Sequence, residues 1–242
     1  MSHNFALTRR SSLLSKPASL LLGLALAAFL NLAAYAQFGA PAAGTQVHDT
    51  TPLKPPAGSR VAIVEFEDME CPDCARANPV LKKAAAEYHI PWVRHDFLIP
   101  GHVWSPIAAV NARWFDSQGK GMGDEYRDQV FANQASIYGP PALNQFTEKF
   151  AADHHVALPF AIDPQGKLAA AVKADKDLGL RVGIEHTPTI WIVTDHSKGA
   201  PFMEVIDRSR LYQMIDQAKD DTASATVPVK TSAKAQTKKP TN

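Results

Sequence analysis

The chain has 242 residues, of which 45% are hydrophobic and 20% are charged, so it is long enough to bury the core of one medium-sized domain. Its formal net charge of +1 at pH 7 gives no reason to expect a nucleic acid or a strongly acidic molecule as a partner. Two cysteines in the whole chain exclude a protein that is held together by several structural disulfides.

The amino terminus has the form of a targeting segment. Basic residues up to Lys16 precede an apolar stretch over residues 18–34, and Ala34-Tyr35-Ala36 has the small residues of a cleavage site. We therefore predict a secretory signal peptide over residues 1–36. Because the apolar stretch is close to the roughly 20 residues that span a bilayer, an uncleaved membrane anchor is the alternative. Either form places the rest of the chain in a periplasmic or other extracytoplasmic compartment.

Two further segments are too poor in large apolar residues to form a core. Residues 37–59 contain several prolines and glycines, which is typical of a flexible linker. Residues 221–242 consist mainly of Thr, Ala, Lys and Pro, and we predict a disordered basic tail there. The folded body is therefore expected over residues 60–220.

A strand followed by a cysteine pair begins this body. Residues 61–66 are apolar except for Glu65, as in a central strand that is covered on both faces of its sheet. Pro72 is tolerated in the first turn of a helix, and apolar residues from Ala75 to Ala85 recur at helical spacing. The motif Cys71-Pro72-Asp73-Cys74 is thus predicted to lie at the amino end of a helix.

This position predicts a redox-active pair. The N–H groups and the positive dipole end of the helix would stabilise the thiolate of Cys71 and lower its pKa. Cys74, one turn further along, should be less exposed. We predict that Cys71 forms a mixed disulfide with a substrate and that Cys74 resolves it. An oxidising compartment favours this redox interpretation.

Glu65 is a carboxylate inside the apolar strand, six residues before Cys71. Burial there should raise its pKa and place it under the redox pair, where it could shuttle the proton of Cys74. The alternative is a strand at the edge of the sheet with Glu65 in contact with water.

The remaining elements follow from the spacing of apolar residues. A second strand is predicted over residues 89–97. The spacing then predicts helices over residues 104–117, 124–134, 141–154 and 163–178. Strands over residues 189–194 and 201–206 and an amphipathic helix over residues 208–219 complete the body. The order β-α-β, helices, β-β-α predicts an α/β fold.

The chain resembles the DsbA-like branch of the thioredoxin superfamily over roughly residues 61–219. The resemblance rests on Glu65 before Cys71, the Cys-Pro-Asp-Cys motif, the prolines of residues 100–106, and residues 185–189 before a strand. It implies a thioredoxin fold, with βαβ and ββα halves and a helical domain inserted at about residues 100–180. It also implies a protein thiol-disulfide oxidoreductase.

The resemblance gives Thr187 and Pro188 a role in substrate binding. It implies a cis peptide bond before Pro188 and a position against the cysteine pair. The backbone of Thr187 would then be free to hydrogen-bond an extended substrate chain. The alternative is an ordinary trans-proline at the start of a strand.

The direction of disulfide exchange is open. Pro72 is similar to the motif residue of strongly oxidising family members, whereas a charged Asp73 should raise the pKa of Cys71 and make the disulfide less oxidising. Thr187 is also similar to the residue before the proline in isomerase and reductase members. We favour an oxidase, with a reductase or isomerase as the alternative.

The resemblance also implies partners. The substrates would be unfolded or folding secreted proteins, and a membrane redox partner would recycle the cysteines. No cofactor and no nucleic acid are expected. Residues 37–59 are too short and irregular to form the dimerisation domain of isomerase members, so we expect a monomer.

Two other classes of function use the same features. One is a non-catalytic module that captures extended peptides on a thioredoxin-like surface. The other is a metal carrier, since Cys71, Cys74, His89 and His95 come close to the spacing of a zinc module. The segment between these histidines is predicted to be extended, whereas a zinc finger places them on a helix. We therefore predict no metal site.

Overall fold

The structure is a computed structural model that describes residues 44–196 and 201–225, without the side chains of residues 224 and 225. The signal peptide or anchor predicted over residues 1–36 lies outside these ranges, as does the predicted tail beyond residue 225. None of the helices in the described ranges combines the length and the apolar character that crossing a membrane requires.

Four strands of the described residues form one sheet: β1 (Val61–Glu67), β2 (Trp92–Asp96), β3 (Thr189–Thr194) and β4 (Phe202–Glu204). Their order in the sheet is β2-β1-β3-β4. β1 pairs in parallel with β2, with Val64 opposite Val93, and antiparallel with β3, with Ile63 opposite Ile192. β1 therefore lies inside the sheet, and all of its residues are buried.

The helices of the described residues are α1 (Pro72–Tyr88), α2 (Ser105–Gln118), α3 (Met122–Ala132), α4 (Pro140–Asp153), α5 (Lys167–Val182) and α6 (Leu211–Ala225). α1 connects β1 to β2, and α6 follows β4. The other four lie between β2 and β3, which separates a βαβ half from a ββα half. The predicted fold class, a thioredoxin fold with an inserted helical domain, is confirmed.

Alternate residues of β1 feed two cores on opposite faces of the sheet. Ile63 belongs to the core that also contains Leu81 of α1 and Ile215 of α6. Phe66 belongs to the core that contains Val182 of α5. α5 approaches the sheet closely at Gly179, where an added Cβ would lie 2.4 Å from the ring of Phe97. A side chain at that position would therefore push the helix away from the sheet.

The inserted helices have a core of their own that reaches the cysteines. The ring of Phe115 on α2 packs against those of Tyr126 on α3 and Phe150 on α4, at centroid distances of 4.9 and 4.8 Å. Cys71 and Cys74 belong to the same cluster of buried residues. The cysteine motif is thus held between the sheet and the insertion.

Two predicted boundaries need correction. Residues 44–59, predicted as a flexible linker, pack on the folded body: Leu53 is buried, and the N–H of His48 donates to the carbonyl of Val182 at 2.8 Å. The buried apolar side chain explains why this proline-containing segment is ordered. The predicted tail over residues 221–242 begins inside α6, which continues to Ala225.

Buried charges join the sheet to the insertion. Arg127 of α3 is 2.6 Å from Asp96 of β2 and 3.2 Å from Glu67 of β1. Arg94 of β2 binds both oxygens of Glu67, at 3.1 and 3.0 Å, and Arg113 of α2 is 2.7 Å from Asp96. Each carboxylate therefore has two guanidinium partners, which compensates for its loss of contact with water.

Candidate active site

Cys71 lies where the chain leaves β1 and enters α1. It is the N-cap residue of α1 with extended backbone (φ −78°, ψ 120°), and Pro72 is the first helical residue. The N–H of Cys71 donates to the carbonyl of Asp68 at 3.0 Å, which closes the turn before the helix. Cys74 lies one turn into the helix. The cysteine pair is thus at the helix start that the spacing indicates.

The sulfur of Cys71 lies in surroundings that favour a thiolate. The thiol of Cys74 donates a hydrogen bond to it, and this is the main reason why the pKa of Cys71 is lowered to about 5 although burial opposes the shift. The hydroxyl of Thr187 and the backbone N–H groups of Cys74 and Asp73 act in the same direction. Cys71 is therefore ionised at neutral pH.

Cys74 has the opposite character. It has no exposed surface, whereas Cys71 keeps 8% of its surface exposed. Burial raises the pKa of Cys74 above its ordinary value, and the hydrogen bond to Cys71 and the charge of Glu65 add to this effect. Both residues are free thiols in the structure. The pair therefore consists of a nucleophile that keeps a small exposed surface and a fully buried, protonated thiol.

Thr187 and Pro188 lie beside the cysteine pair although they are distant in sequence. The peptide bond between them is cis. The sulfur of Cys71 is 3.4 Å from the carbonyl oxygen of Thr187, across 116 positions of the chain. A polypeptide attached to Cys71 would therefore lie next to the backbone of Thr187.

Glu65 is buried in β1, with 1% of its surface exposed. The indole N–H of Trp92 donates to its Oε2 at 2.9 Å, while among the described residues Oε1 has no hydrogen-bond partner. Burial and the charge of Glu67 raise the pKa of Glu65 well above its ordinary value, although Arg94 opposes them. Because β1 lies inside the sheet, the alternative of a water-exposed edge residue is wrong.

Asp73 does not act on Cys71 as an isolated charge. Arg208 donates to both of its carboxylate oxygens, at 3.0 and 2.7 Å, and this is the main reason why the pKa of Asp73 is lowered. Arg76 is a further partner at 3.1 Å. The carboxylate therefore acts on Cys71 together with the charge of Arg208. The expectation that Asp73 raises the pKa of Cys71 stays a prediction, while the sum of all effects lowers that pKa.

The insertion holds the turn that precedes Cys71. Glu70 accepts from the N–H groups of Trp104 and Ser105 at the start of α2, at 2.8 and 3.1 Å. The amide of Gln134 donates to the carbonyl of Cys71 at 3.0 Å. Asp68 accepts from the N–H of Ile99 at 2.8 Å. The position of the cysteines thus depends on the inserted helices as well as on the sheet.

Three residues of this site were not predicted from the sequence: Trp92, Gln134 and Arg208. Each acts on a predicted residue from another element, across 27 to 135 positions of the chain. No motif marks such partners. A buried acid such as Glu65 does signal that some donor must be near, since buried carboxylates are seldom left without hydrogen bonds.

The residues of the possible zinc module are not brought together. His89 is the C-cap of α1, at the opposite end of this 17-residue helix from Cys71. A helix of that length is about 25 Å long, far beyond the reach of a shared metal ion. His95 instead contacts Asp175 at 3.2 Å. In the described ranges no group of three or more His, Cys, Asp or Glu residues could hold a metal ion.

The low pKa of Cys71 predicts a stability that depends on pH. Its pKa is about 5 in the folded protein and about 8.5 in an unfolded chain, so the folded thiolate adds stability that is complete above about pH 8.5 and lost as the pH falls to about 5. At about pH 7, two pH units above the folded pKa, we expect the free energy of unfolding of the reduced protein to exceed that of the Cys71→Ser variant by about 3 kcal/mol. Denaturant unfolding of both proteins across this range would measure the difference.

The two proteins share every other titrating group, so the pH dependence of the difference between their free energies of unfolding reports on the ionisation of Cys71. A difference that stays constant between about pH 5 and pH 8 would contradict a stabilised thiolate.

The chain is similar to a known protein family in sequence and to solved structures in its fold. The Thioredoxin_4 family model, described as Thioredoxin, matches residues 57–217. Alpha-DsbA1 T172V of Wolbachia pipientis is 13% identical in sequence, with a TM-score of 0.58 over 71% of this chain and 92% of that chain. Oxidised BdbD of Bacillus subtilis is 16% identical, with a TM-score of 0.56 over 75% and 98% of the two chains. DsbA2 of Pseudomonas aeruginosa is 22% identical, with a TM-score of 0.50 over 76% and 98%.

A curated relative, the Na(+)/H(+) antiporter NhaA 3 of Salinispora tropica, is 26% identical over 147 residues, or 60% of this chain. The chain spans 22% of the length of that relative. The family match covers most of the chain and includes both cysteines, and the first of these structures covers 71% of the chain. The chain therefore belongs to the thioredoxin family, and its fold is that of the DsbA proteins.

Proposed function

We propose that the protein is an extracytoplasmic thiol-disulfide oxidoreductase that donates disulfides to secreted proteins through Cys71 and Cys74. The observation that carries this proposal is the contrast between the two thiols. Cys71 keeps 8% of its surface exposed and has a low pKa, whereas Cys74 has no exposed surface and a raised pKa. Such a pair can exchange with a substrate through one sulfur and release it through the other.

Donation starts from a disulfide between Cys71 and Cys74. A substrate thiolate attacks the sulfur of Cys71, the bond between the two cysteines breaks, and Cys74 leaves with the electron pair. A second substrate thiolate then attacks the substrate sulfur of this mixed disulfide, and Cys71 leaves as a thiolate. Two electrons pass from the substrate, which gains a disulfide, to the protein, which is left with two reduced cysteines.

Cys74 needs a proton when it leaves, because its surroundings disfavour a thiolate. We propose that Glu65 supplies this proton and takes it back during reoxidation. The indole N–H of Trp92 can donate but cannot accept, so Oε2 must be the acceptor and the carboxyl proton belongs on Oε1. Oε1 is the oxygen without a hydrogen-bond partner among the described residues, so its proton is free for transfer.

The direction of exchange depends on whether the fold stabilises the reduced form or the disulfide form of Cys71 and Cys74. A low pKa of Cys71 stabilises the reduced protein at neutral pH, and a stabilised reduced form makes the disulfide a stronger oxidant. This supports an oxidase over a reductase or isomerase. Pairing of Asp73 with Arg208 removes the main argument from the sequence for a weaker oxidant.

The proposed substrates are unfolded or folding secreted proteins, bound as extended chains beside the backbone of Thr187. A membrane redox partner that carries a more oxidising disulfide would accept the two electrons and restore the disulfide. We propose that the protein acts as a monomer, reaches the periplasm through the signal peptide of residues 1–36 and requires no cofactor.

The proposal is tested with oxidised protein and a reduced peptide that contains two cysteines, without any other oxidant. We expect about one peptide disulfide for each equivalent of oxidised protein, measured by mass spectrometry. Failure of this transfer, together with cleavage of insulin disulfides by the reduced protein, would instead identify a reductase. If the protein binds the peptide but exchanges no disulfide, it is a non-catalytic binding module.

The proposed role of Glu65 predicts the behaviour of Glu65→Gln. The amide keeps the size of the side chain and an acceptor for Trp92, but it carries no exchangeable carboxyl proton. We expect disulfide transfer to the peptide to slow by about 10²-fold at neutral pH, the usual size of a general acid contribution. Rapid-quench kinetics would measure the rate.

Glu87→Gln is the matched control, because Glu87 lies exposed on α1, where it accepts a hydrogen bond from the hydroxyl of Tyr212 at 3.2 Å. It should transfer disulfides at the rate of the unaltered protein. An unchanged rate in Glu65→Gln as well would remove Glu65 from the proposed mechanism.

A further inference from the structure

The second variable residue of the cysteine motif is bound by a residue from the other end of the fold. Asp73 lies in the first turn of α1, and Arg208 lies in the 3-10 turn between β4 and α6. Nη1 of Arg208 is 3.0 Å from one carboxylate oxygen of Asp73, and Nη2 is 2.7 Å from the other. Two parallel contacts of this kind fix the carboxylate in both position and direction.

Arg76 cannot replace this contact. It touches Oδ1 of Asp73 alone, at 3.1 Å, and its side chain is 67% exposed, compared with 32% for Arg208. An exposed arginine one turn away on the same helix contributes little, because water and salt screen the pair. Arg208 is therefore the partner that compensates most of the charge of Asp73.

The position of this charge matters because it lies two residues from the nucleophile. The backbone N–H of Asp73 is one of the groups that favour the thiolate of Cys71. An unpaired carboxylate next to that N–H would oppose the second negative charge on sulfur. The positive charge of Arg208 also acts on Cys74 and Glu65. Arg208 thus acts on Asp73, Cys74 and Glu65.

We infer that Arg208 is a positioning residue for the thiol chemistry: it binds both oxygens of Asp73, compensates their charge beside Cys71, and so makes the disulfide a stronger oxidant. This inference rests on the proposed function. The ion pair between Asp73 and Arg208 would then tune the equilibria of the cysteines, which a purely structural link between α1 and the turn before α6 would not do.

The test is a double-mutant cycle with Arg208→Gln, Asp73→Asn and the double variant. Two quantities are measured for each: the thiolate absorbance of Cys71 against pH, and the equilibrium constant with glutathione. Cys71→Ser supplies the absorbance background. Arg210→Gln, which removes the same charge two residues away in the same turn, is the matched control.

Arg208→Gln leaves Asp73 without its main partner, so we expect the thiolate equilibrium of Cys71 and the redox equilibrium to shift about three- to tenfold toward thiol and disulfide. Asp73→Asn leaves Arg208 unpaired and should shift both equilibria in the opposite direction. For the double variant and for Arg210→Gln, both equilibrium constants should stay within about twofold of those of the unaltered protein. Arg208→Lys keeps the charge but loses the double contact, so its equilibrium constants should lie between those of Arg208→Gln and the unaltered protein.

A structural role alone predicts a different pattern. If the pair only holds the fold together, Arg208→Gln and Asp73→Asn would shift each equilibrium in the same direction as one another. The double variant would then not return either equilibrium to the value of the unaltered protein. Equal thiolate and redox equilibrium constants for Arg208→Gln and the unaltered protein would overturn the inference while leaving the proposed function intact. If the unaltered protein forms no reversible disulfide with glutathione, the proposed function itself fails.

Discussion

A Cys74→Ser variant is expected to accumulate as a covalent mixed disulfide through Cys71. Cys71 keeps its position at the helix start and can still attack a disulfide of a substrate or of oxidised glutathione. The serine hydroxyl cannot displace the bound sulfur, so the adduct persists. Non-reducing electrophoresis and mass spectrometry would show one added molecule for each protein, and catalytic turnover should fall to the uncatalysed level.

Cys71→Ser is the matched control, since it also leaves one cysteine. Cys74 is fully buried and its pKa is raised, so this variant should form no adduct under the same conditions. Equal amounts of adduct in the two variants would show that both thiols are accessible. That result would contradict the assignment of Cys71 as nucleophile and Cys74 as resolving thiol.

Arg127→Met is expected to lower the free energy of unfolding by about 3–5 kcal/mol, the usual cost of removing one partner from a buried ion pair. Arg127 is buried, and its loss leaves Asp96 and Glu67 with one guanidinium partner each. Because these carboxylates lie on β2 and β1, the insertion also loses a direct link to the sheet. Urea unfolding monitored by fluorescence would measure the change.

Lys149→Met provides the comparison, because Lys149 forms an exposed pair with Asp153 one turn along α4. Exposed pairs contribute about 0–1 kcal/mol, so this variant should be nearly as stable as the unaltered protein. Similar losses in both variants would mean that the buried charges contribute no more than surface ones.

The parts of the fold that depend on local patterns could be predicted from the sequence. The apolar run of β1, the proline after Cys71 and the helical spacing behind it are each properties of a few neighbouring residues. β3 has its predicted boundaries, because the apolar run of residues 190–193 is flanked by the β-branched residues Thr189 and Thr194. The order of these elements was enough to indicate an α/β fold, and the resemblance to DsbA-like proteins then implied the thioredoxin fold.

The parts that depend on distant contacts could not be predicted. Asp73 was expected to act as a free charge, since its partner Arg208 lies 135 positions away. The hydrogen bond from Trp92 to Glu65 requires the parallel pairing of β1 with β2, and sequence patterns do not reveal which side chains such pairing brings together. Leu53 is one of few large apolar residues in a proline-containing segment without helical or strand spacing, so nothing local marked it as buried.

In the proposed mechanism, the fold stabilises the reduced cysteine pair enough to make its disulfide an oxidant. Equilibration of the pair with glutathione tests this most directly, with the thiolate absorbance of Cys71 recorded on the same sample. We expect a potential more positive than about −180 mV, together with a pKa well below 7 for Cys71. A potential near about −270 mV, with a pKa of about 7, would contradict the account and would indicate a reductase.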